Sequence, residues 1–172
     1  MSTSLALELR DAARTVATGT RYHRLVLLVG EPRSGKTTVL RALAEETGWP
    51  LLGLNLALSE RLLEVPTRFR EIRVADLVRD LVEAHPGDAL IIDNIELLFD
   101  RQLQVDPVGL LLSLARHRLV VASWPGSYDG STLSYADPTH PEHRRDPRPD
   151  CAIVQSRLSS APARAHHPRV EP

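Results

Sequence analysis

At 172 residues, with 42% hydrophobic but only 4% aromatic side chains, the chain has material for one aliphatic core, and its length favours one domain over two. A formal charge of -1, from 21 Lys+Arg against 22 Asp+Glu, gives no global pull toward nucleic acid or an anionic membrane, so contact with DNA is expected only indirectly or through a local patch. The single cysteine, Cys151, excludes an intramolecular disulfide, Glu8 interrupts the place where a secretory signal needs its apolar run, and no stretch reaches membrane-spanning length, so a soluble cytoplasmic protein is expected.

Leu5, Leu9, Ala12, Ala13 and Val16 recur at helical spacing, which predicts a leading amphipathic helix that stops near Gly19 and covers one face of a sheet. Leu25-Val26-Leu27-Leu28-Val29 is an unbroken apolar run, the pattern of a strand buried on both faces. Directly behind it stands Gly30-Glu31-Pro32-Arg33-Ser34-Gly35-Lys36-Thr37, a complete G-x-x-x-x-G-K-T loop, and Thr38 then leads into helix formers. In that order, strand, loop and helix aim backbone N–H groups and a helix N-terminus at one anionic site. Gly30 and Gly35 let the backbone wrap a phosphate closely, Lys36 brings a point charge to the outer phosphates, and Thr37 offers a hydroxyl to Mg²⁺. A nucleoside triphosphate with Mg²⁺ is the expected ligand. No Asn-Lys-x-Asp stretch specifies guanine, and adenine pockets are largely backbone and apolar, so the sequence leaves the base open; ATP is taken as the nucleotide.

Gly48 and Pro50 break the chain before Leu51-Leu52-Gly53-Leu54-Asn55-Leu56, which reads as a second buried strand. A short helical piece around Leu62 and Leu63 and a break at Pro66 follow. A longer helix then carries Ile72, Val74, Leu77, Val78, Leu81 and Val82 as far as Pro86-Gly87. Ala89-Leu90-Ile91-Ile92 makes a third strand ending in Asp93. Asp106-Pro107 opens another helix, closed by the cations Arg116-His117-Arg118. Leu119-Val120-Val121-Ala122 is the fourth strand, and Thr132-Leu133-Ser134-Tyr135 a candidate fifth. From Asp137 onward Pro138, Pro141, Pro147, Pro149, Pro162, Pro168 and Pro172 alternate with Arg and His, leaving too little apolar surface to offset ordering entropy. The expected organisation is a nucleotide-binding domain over residues 1–136 and a mostly disordered tail over 137–172.

Strands alternating with helices predict an α/β fold whose parallel sheet is covered on both faces, with ligands beyond the carboxyl ends of its strands, where the loop, Asp93 and Ser123 would gather. Asp93 fits the acid that holds Mg²⁺ in P-loop nucleotidases, which makes Thr37 and Asp93 the expected metal-side oxygens; a strand-end aspartate capping the next helix is the other reading. Its strand is the second after the phosphate-loop strand. That spacing resembles the ATPase group whose glutamate-activated members insert an extra strand between those two. An ASCE-like, three-layer P-loop NTPase fold of about five parallel strands, with no helical lid, is therefore expected. In that group the residue after the aspartate is often an acid that positions the attacking water. Here it is Asn94, which orients water but cannot take its proton.

Glu96, three residues beyond Asp93, reaches the same side if the segment turns helical, or is a solvated helix-start acid that favours the macrodipole. Slow hydrolysis served by Glu96 and Asn94 is the expectation. Ser123 either hydrogen-bonds the outer phosphate or satisfies a strand end, and Asn55 has the same two readings. Arg101, Arg116 and Arg118 are candidates for an arginine reaching a neighbour's nucleotide, an effect of ~10³ to 10⁵ in rate where it exists, or are plain surface charges. Arg61, Arg68, Arg70, Arg73 and Arg79 are interleaved with Glu60, Glu64, Glu71 and Asp76, so pairing along a helix surface is expected rather than phosphate binding. His140, His143, His166 and His167 lack zinc-site spacing, and the isolated Trp49 and Trp124 make no base-stacking platform.

Several stretches beyond the phosphate loop are similar to the small P-loop protein of type 3 BREX phage-defence systems. They are Asn55-Leu56-Ala57-Leu58-Ser59 with Arg61-Leu62-Leu63-Glu64, Asp93-Asn94-Ile95-Glu96-Leu97-Leu98-Phe99, Ser123-Trp124-Pro125-Gly126, Tyr128-Asp129-Gly130, Tyr135, and His140-Pro141-Glu142 with Arg144. The resemblance spans about residues 25–144. It implies service beside a DNA methyltransferase, a phosphatase-like protein, a helicase and a large ATPase, as part of a homo- or hetero-oligomer. Two competing functions remain: a small-molecule kinase, against which the short, arginine-free stretch from Trp124 to Gly130 argues, and a scaffold with a vestigial loop, against which intact Lys36, Thr37 and Asp93 argue.

Overall fold

The computed structural model describes residues 2–156. Helix α1 (Ser2–Thr18) precedes strand β1 (Leu25–Gly30), and the phosphate loop leads into α2 (Lys36–Thr47). Strand β2 (Leu51–Gly53) passes directly into α3 (Leu54–Leu63), followed by α4 (Thr67–Glu83), β3 (Ala89–Asp93) and a single 3-10 turn, Glu96–Phe99. Helix α5 (Pro107–Leu114) leads to β4 (Leu119–Tyr128), then β5 (Thr132–Tyr135), β6 (Arg144–Pro147) and β7 (Ala152–Gln155).

The parallel sheet has the order β2-β3-β4-β1-β7, so β4 lies between the phosphate-loop strand and the Asp93 strand, as the spacing of Asp93 predicts. Period-two alternation explains why β1 is apolar throughout. Leu25, Leu27 and Val29 join Leu58, Val78, Leu90, Leu111 and Val120 beneath α3, α4 and α5, while Val26 and Leu28 join Leu9, Val16, Leu40 and Ile91 beneath α1 and α2. Each such side chain contributes about 1.5–3 kcal/mol by leaving water. Arg118 is held inside this scaffold, donating to Val82 O (3.3 Å), His85 O (2.6 Å) and Ala89 O (2.8 Å), where it ties the end of α4 to the start of β3. It therefore drops out as an arginine for a neighbour's site. Arg116 lies over the Tyr22 ring at 5.7 Å, and Arg101 is exposed after the 3-10 turn.

Four expectations are corrected. The second strand ends at Gly53, and Leu54, Leu58 and Leu62 are buried at helical spacing, because a short apolar run satisfies either period until its neighbours decide. The fourth strand does not stop at Ala122: its residues 126–128 leave the parallel sheet and pair antiparallel with β5, which pairs with β6. The candidate fifth strand thus forms part of an antiparallel arm. The fifth parallel strand is β7, which adds to the free edge of β1 in the register Val26↔Ala152 to Val29↔Gln155. The expected tail from Asp137 therefore contains two strands, and the division at residue 136 falls inside the fold. Averaged composition concealed the run Cys151-Ala152-Ile153-Val154, and Pro147 is tolerated because β6 is an edge strand. Residues 157–172 of that tail, with His166 and His167, lie outside the described residues.

The arm replaces a helix as the crossover between β4 and β7. Its seam is aromatic: Phe99 stacks on Tyr135 with centroids 3.7 Å apart and meets Trp124 edge-on at 5.1 Å. Trp124 Nε1 donates to Ser134 O at 3.0 Å. Gly126 presses so closely on the Ser134 backbone that a Cβ there would run into its carbonyl.

Candidate functional site

The phosphate loop closes around its own lysine. Lys36 is 8% exposed, and its Nζ donates to Gly30 O at 2.6 Å and Glu31 O at 2.8 Å, with Ser34 Oγ at 3.4 Å. Burial pushes the ammonium pKa below its ordinary value, and the charges of Glu96, Asp93 and Glu31 partly offset that shift. Two residues of the loop are left-handed, Arg33 with φ 64 and Gly35 with φ 83, and only the second is a glycine. Gly35 is also the residue from which α2 starts, so the helix N-terminus opens onto the loop. Glu31, Pro32, Arg33 and Thr38 are exposed, Ser34 is buried, and Gly35 and Thr37 are intermediate.

Asp93 ends β3, and Ser123 lies beside it within β4. Ile92 pairs with Ala122, which puts the next residues, Asp93 and Ser123, side by side, and Ser123 is level with Leu28 on β1. Both are nearly covered, at 4% and 2% exposure. The sequence reading brought the loop, Asp93 and Ser123 to one end of the sheet, and that is where the structure has them. Ser123 Oγ accepts the Asn94 N–H at 3.2 Å, so it satisfies the backbone beyond Asp93. Asn94 itself is exposed and left-handed, with φ 54, a conformation asparagine tolerates better than most residues.

Glu96 begins the 3-10 turn and is half-buried. Its negative charge, with those of Asp93 and Glu31, opposes the effect of burial on the Lys36 ammonium. Asn55 secures Glu96. Its Nδ2 donates to Glu96 Oε2 at 3.1 Å, its Oδ1 accepts Leu97 N–H at 2.9 Å, and its own N–H reaches Asn94 O at 2.9 Å. Asn55 was expected either to hydrogen-bond the outer phosphate or to satisfy a strand end; its tie to Glu96 and Leu97 was not legible, because those partners lie 41 and 42 positions away. Ser156, at the end of β7, escaped sequence reading altogether, since nothing marks one serine in a Pro- and Arg-rich stretch; it donates to Ser34 O at 2.8 Å.

Two clefts lie off this site. One, of about 220 Å³, is lined by Leu62, Leu63, Arg70 and Leu103, and the other, of about 420 Å³, separates Phe99 and Arg101 from Glu142 and Arg145 on the arm. Within the loop itself the Lys36 ammonium sits on the Gly30 and Glu31 carbonyls. The donor chemistry suits a hydrated Mg²⁺, which takes hard oxygens from one or two protein groups and the rest from phosphates and water. Thr37 and Asp93 supply such oxygens; among the described residues no group of three or more His, Cys, Asp or Glu converges as a protein-only cage. No helix among the described residues is long and apolar enough to cross a membrane.

A family model described as ATPase family associated with various cellular activities (AAA) matches residues 26–116, more than half of the chain. The chain is 35% identical over 94 residues to the ATP-dependent zinc metalloprotease FtsH 3 of Sphaerobacter thermophilus, a match covering 55% of this chain and 18% of that protein. It therefore spans less than a fifth of that relative's length. Among solved structures, C. elegans PCH-2 aligns with a TM-score of 0.42 at 16% identity, over 74% of this chain and 37% of that one. The FIGL-1 AAA domain aligns with a TM-score of 0.39 at 19% identity, over 72% and 44%. Because the family match runs from β1 past the end of α5, across the stretch that supplies the phosphate loop, Asn55, Asp93 and Glu96, this chain belongs to the AAA family of P-loop ATPases, which implies nucleotide binding.

Proposed function

We propose that the chain binds ATP with Mg²⁺ and acts as a nucleotide-dependent switch or assembly subunit of a bacterial phage-defence complex of BREX type, turning ATP over slowly by itself. In this reading the backbone N–H groups of the loop and the α2 N-terminus hold the phosphates. Lys36 exchanges two neutral carbonyl acceptors for phosphate oxygens, and Thr37 and Asp93 hold the metal ion. Mg²⁺, when bound, neutralises charge on the terminal phosphates. Slow turnover follows from Asn94, which offers no carboxylate beside Asp93, and from Glu96, whose carboxylate is shared with the Asn55 amide.

The observation that carries the switch reading is the double attachment of the segment after Asp93. Its near end is tied to Ser123 and Asn55, and its far end, Phe99, is stacked on the arm at Tyr135. A ligand that moves Asp93 or Glu96 must strain one of those ties, which gives nucleotide a route to the surface of the arm. The defence assignment rests on the resemblance of the later stretches. Several of their residues, Phe99, Trp124, Gly126, Tyr135 and Glu142, meet in and around one seam. The proposed partners are a large ATPase, a DNA methyltransferase, a phosphatase-like protein and a helicase, with DNA contacted only through them, in the cytoplasm. ATP turnover measured alone and with those partners tests the proposal. Slow turnover that rises on mixing, and falls again with Glu96→Gln, is expected; brisk turnover by the isolated chain would overturn the switch reading.

A further inference from the structure

The β1·β7 ladder continues one residue past the end of β7, where the Ser156 N–H donates to Val29 O at 2.7 Å, immediately before the phosphate loop. The hydroxyl of the same residue donates to Ser34 O at 2.8 Å, in the middle of the loop. Gly30 completes the contact: a Cβ built there would stand 2.9 Å from Ser156 Cβ and would also strike the Ser34 side chain. The end of β7, the first residue of the loop and its centre are thus one packed unit.

We propose that Ser156 is a positioning residue for phosphate recognition, holding the Ser34–Gly35 peptide so that the Gly35 N–H faces the bound phosphate. This rests on the reading that the loop binds a nucleotide. In a trans peptide the carbonyl and the following N–H point to opposite sides, and the chain has no cis bonds among its described residues. With Ser34 O held toward β7, the Gly35 N–H is turned away from β7. That peptide is otherwise easily rotated, since Gly35 sits at φ 83 and a glycine adopts either sign of φ at little cost. A flipped plane would present a carbonyl oxygen to the phosphate, where repulsion replaces a hydrogen bond. Ser156 removes that second orientation from outside the loop, without touching the ligand.

The test compares the full chain with Ser156→Ala, Ser156→Cys and Ser156→Thr, measuring thermal melting, the Kd for MgATP and MgADP, and competition by inorganic triphosphate. Alanine and cysteine variants that fold should bind both nucleotides and inorganic triphosphate about three- to tenfold more weakly, the effect of one hydrogen bond. Threonine, which keeps the hydroxyl, should restore binding. A role confined to stability would lower melting while leaving affinity unchanged, and that result overturns the proposal, as does equal weakening with threonine. If the alanine variant fails to fold, cysteine against threonine decides by the same criteria. Wild-type chain that takes up no nucleotide would instead overturn the nucleotide reading itself.

Discussion

All six positions of β1 are buried, whereas β6 alternates between half-buried and exposed with none buried, yet both belong to one hydrogen-bonded system of seven strands. The parallel strands are held by side chains on both faces, so their stability is spread over many aliphatic contacts. The arm is held by backbone pairing, three aromatic rings and one close glycine approach. The lesson is a division of labour. The parallel core fixes the loop, Asp93 and Ser123 rigidly, while the arm meets it through a narrow seam beside the segment that carries Glu96.

The largest expected effect isolates the core site from the arm. Lys36→Ala should weaken MgATP binding by more than about 100-fold in calorimetry, since the one ammonium facing the phosphates is gone. Its melting temperature should hold, because the lysine is a buried charge rather than a packing element. Collapse of the fold would show that the loop and core are not separable in this way.

Cutting the seam comes next. Phe99→Ala should destabilise the chain by about 3–5 kcal/mol, the usual cost of removing a buried aromatic ring. In a Trp49→Phe background, the Trp124 fluorescence transition in urea should then precede the far-UV circular dichroism transition, whereas the two coincide with Phe99 intact. Coincidence in the variant would mean that the arm is not a separate unit. Gly126→Ala, whose methyl has nowhere to go against the Ser134 backbone, should cost about 1–3 kcal/mol through the β4–β5 pairing, with MgATP affinity unchanged.

The smallest effect concerns charge in the arm. Burial, with Asp106 adding to it and Arg144 opposing it, holds the Asp146 carboxyl above the ordinary range, and its Oδ2 has no hydrogen-bond partner among the described residues. An acid with a raised folded pKa takes up its proton more readily when folded. Its contribution is therefore full below the unfolded value near 3.8 and is lost as pH rises through the folded one. Asp146→Asn should accordingly raise the melting temperature at pH 7 by a degree or two, about 0.5 kcal/mol after solvent screening of a partly exposed group, and have less effect near pH 4. A gain that does not shrink on acidification would remove this account of Asp146.

Much of the site was legible because its chemistry is local. The phosphate loop is contiguous, and Asp93 follows four apolar residues directly. The strand flanking each is buried on both faces and so reads as an unbroken apolar run. Asn55 and Glu96 were visible as polar residues of interest, but their partnership spans 41 positions and needs β2 beside β3. The arm was harder still. Its β5 was visible as a candidate strand, but β6 is a four-residue Arg-Arg-Asp-Pro stretch with no buried position, so neither burial nor apolar periodicity marks it.

The sequence by itself therefore determined the phosphate loop, the parallel α/β class and the Asp93 strand, because these depend on adjacent residues and on the alternation of apolar runs. Only the tertiary structure decided that β7 completes the sheet, that the Phe99, Trp124 and Tyr135 rings join the arm to the site, and that Ser156 touches the loop. The physical reason is that each of these is a contact between segments far apart in the chain, which neither local propensity nor apolar periodicity encodes.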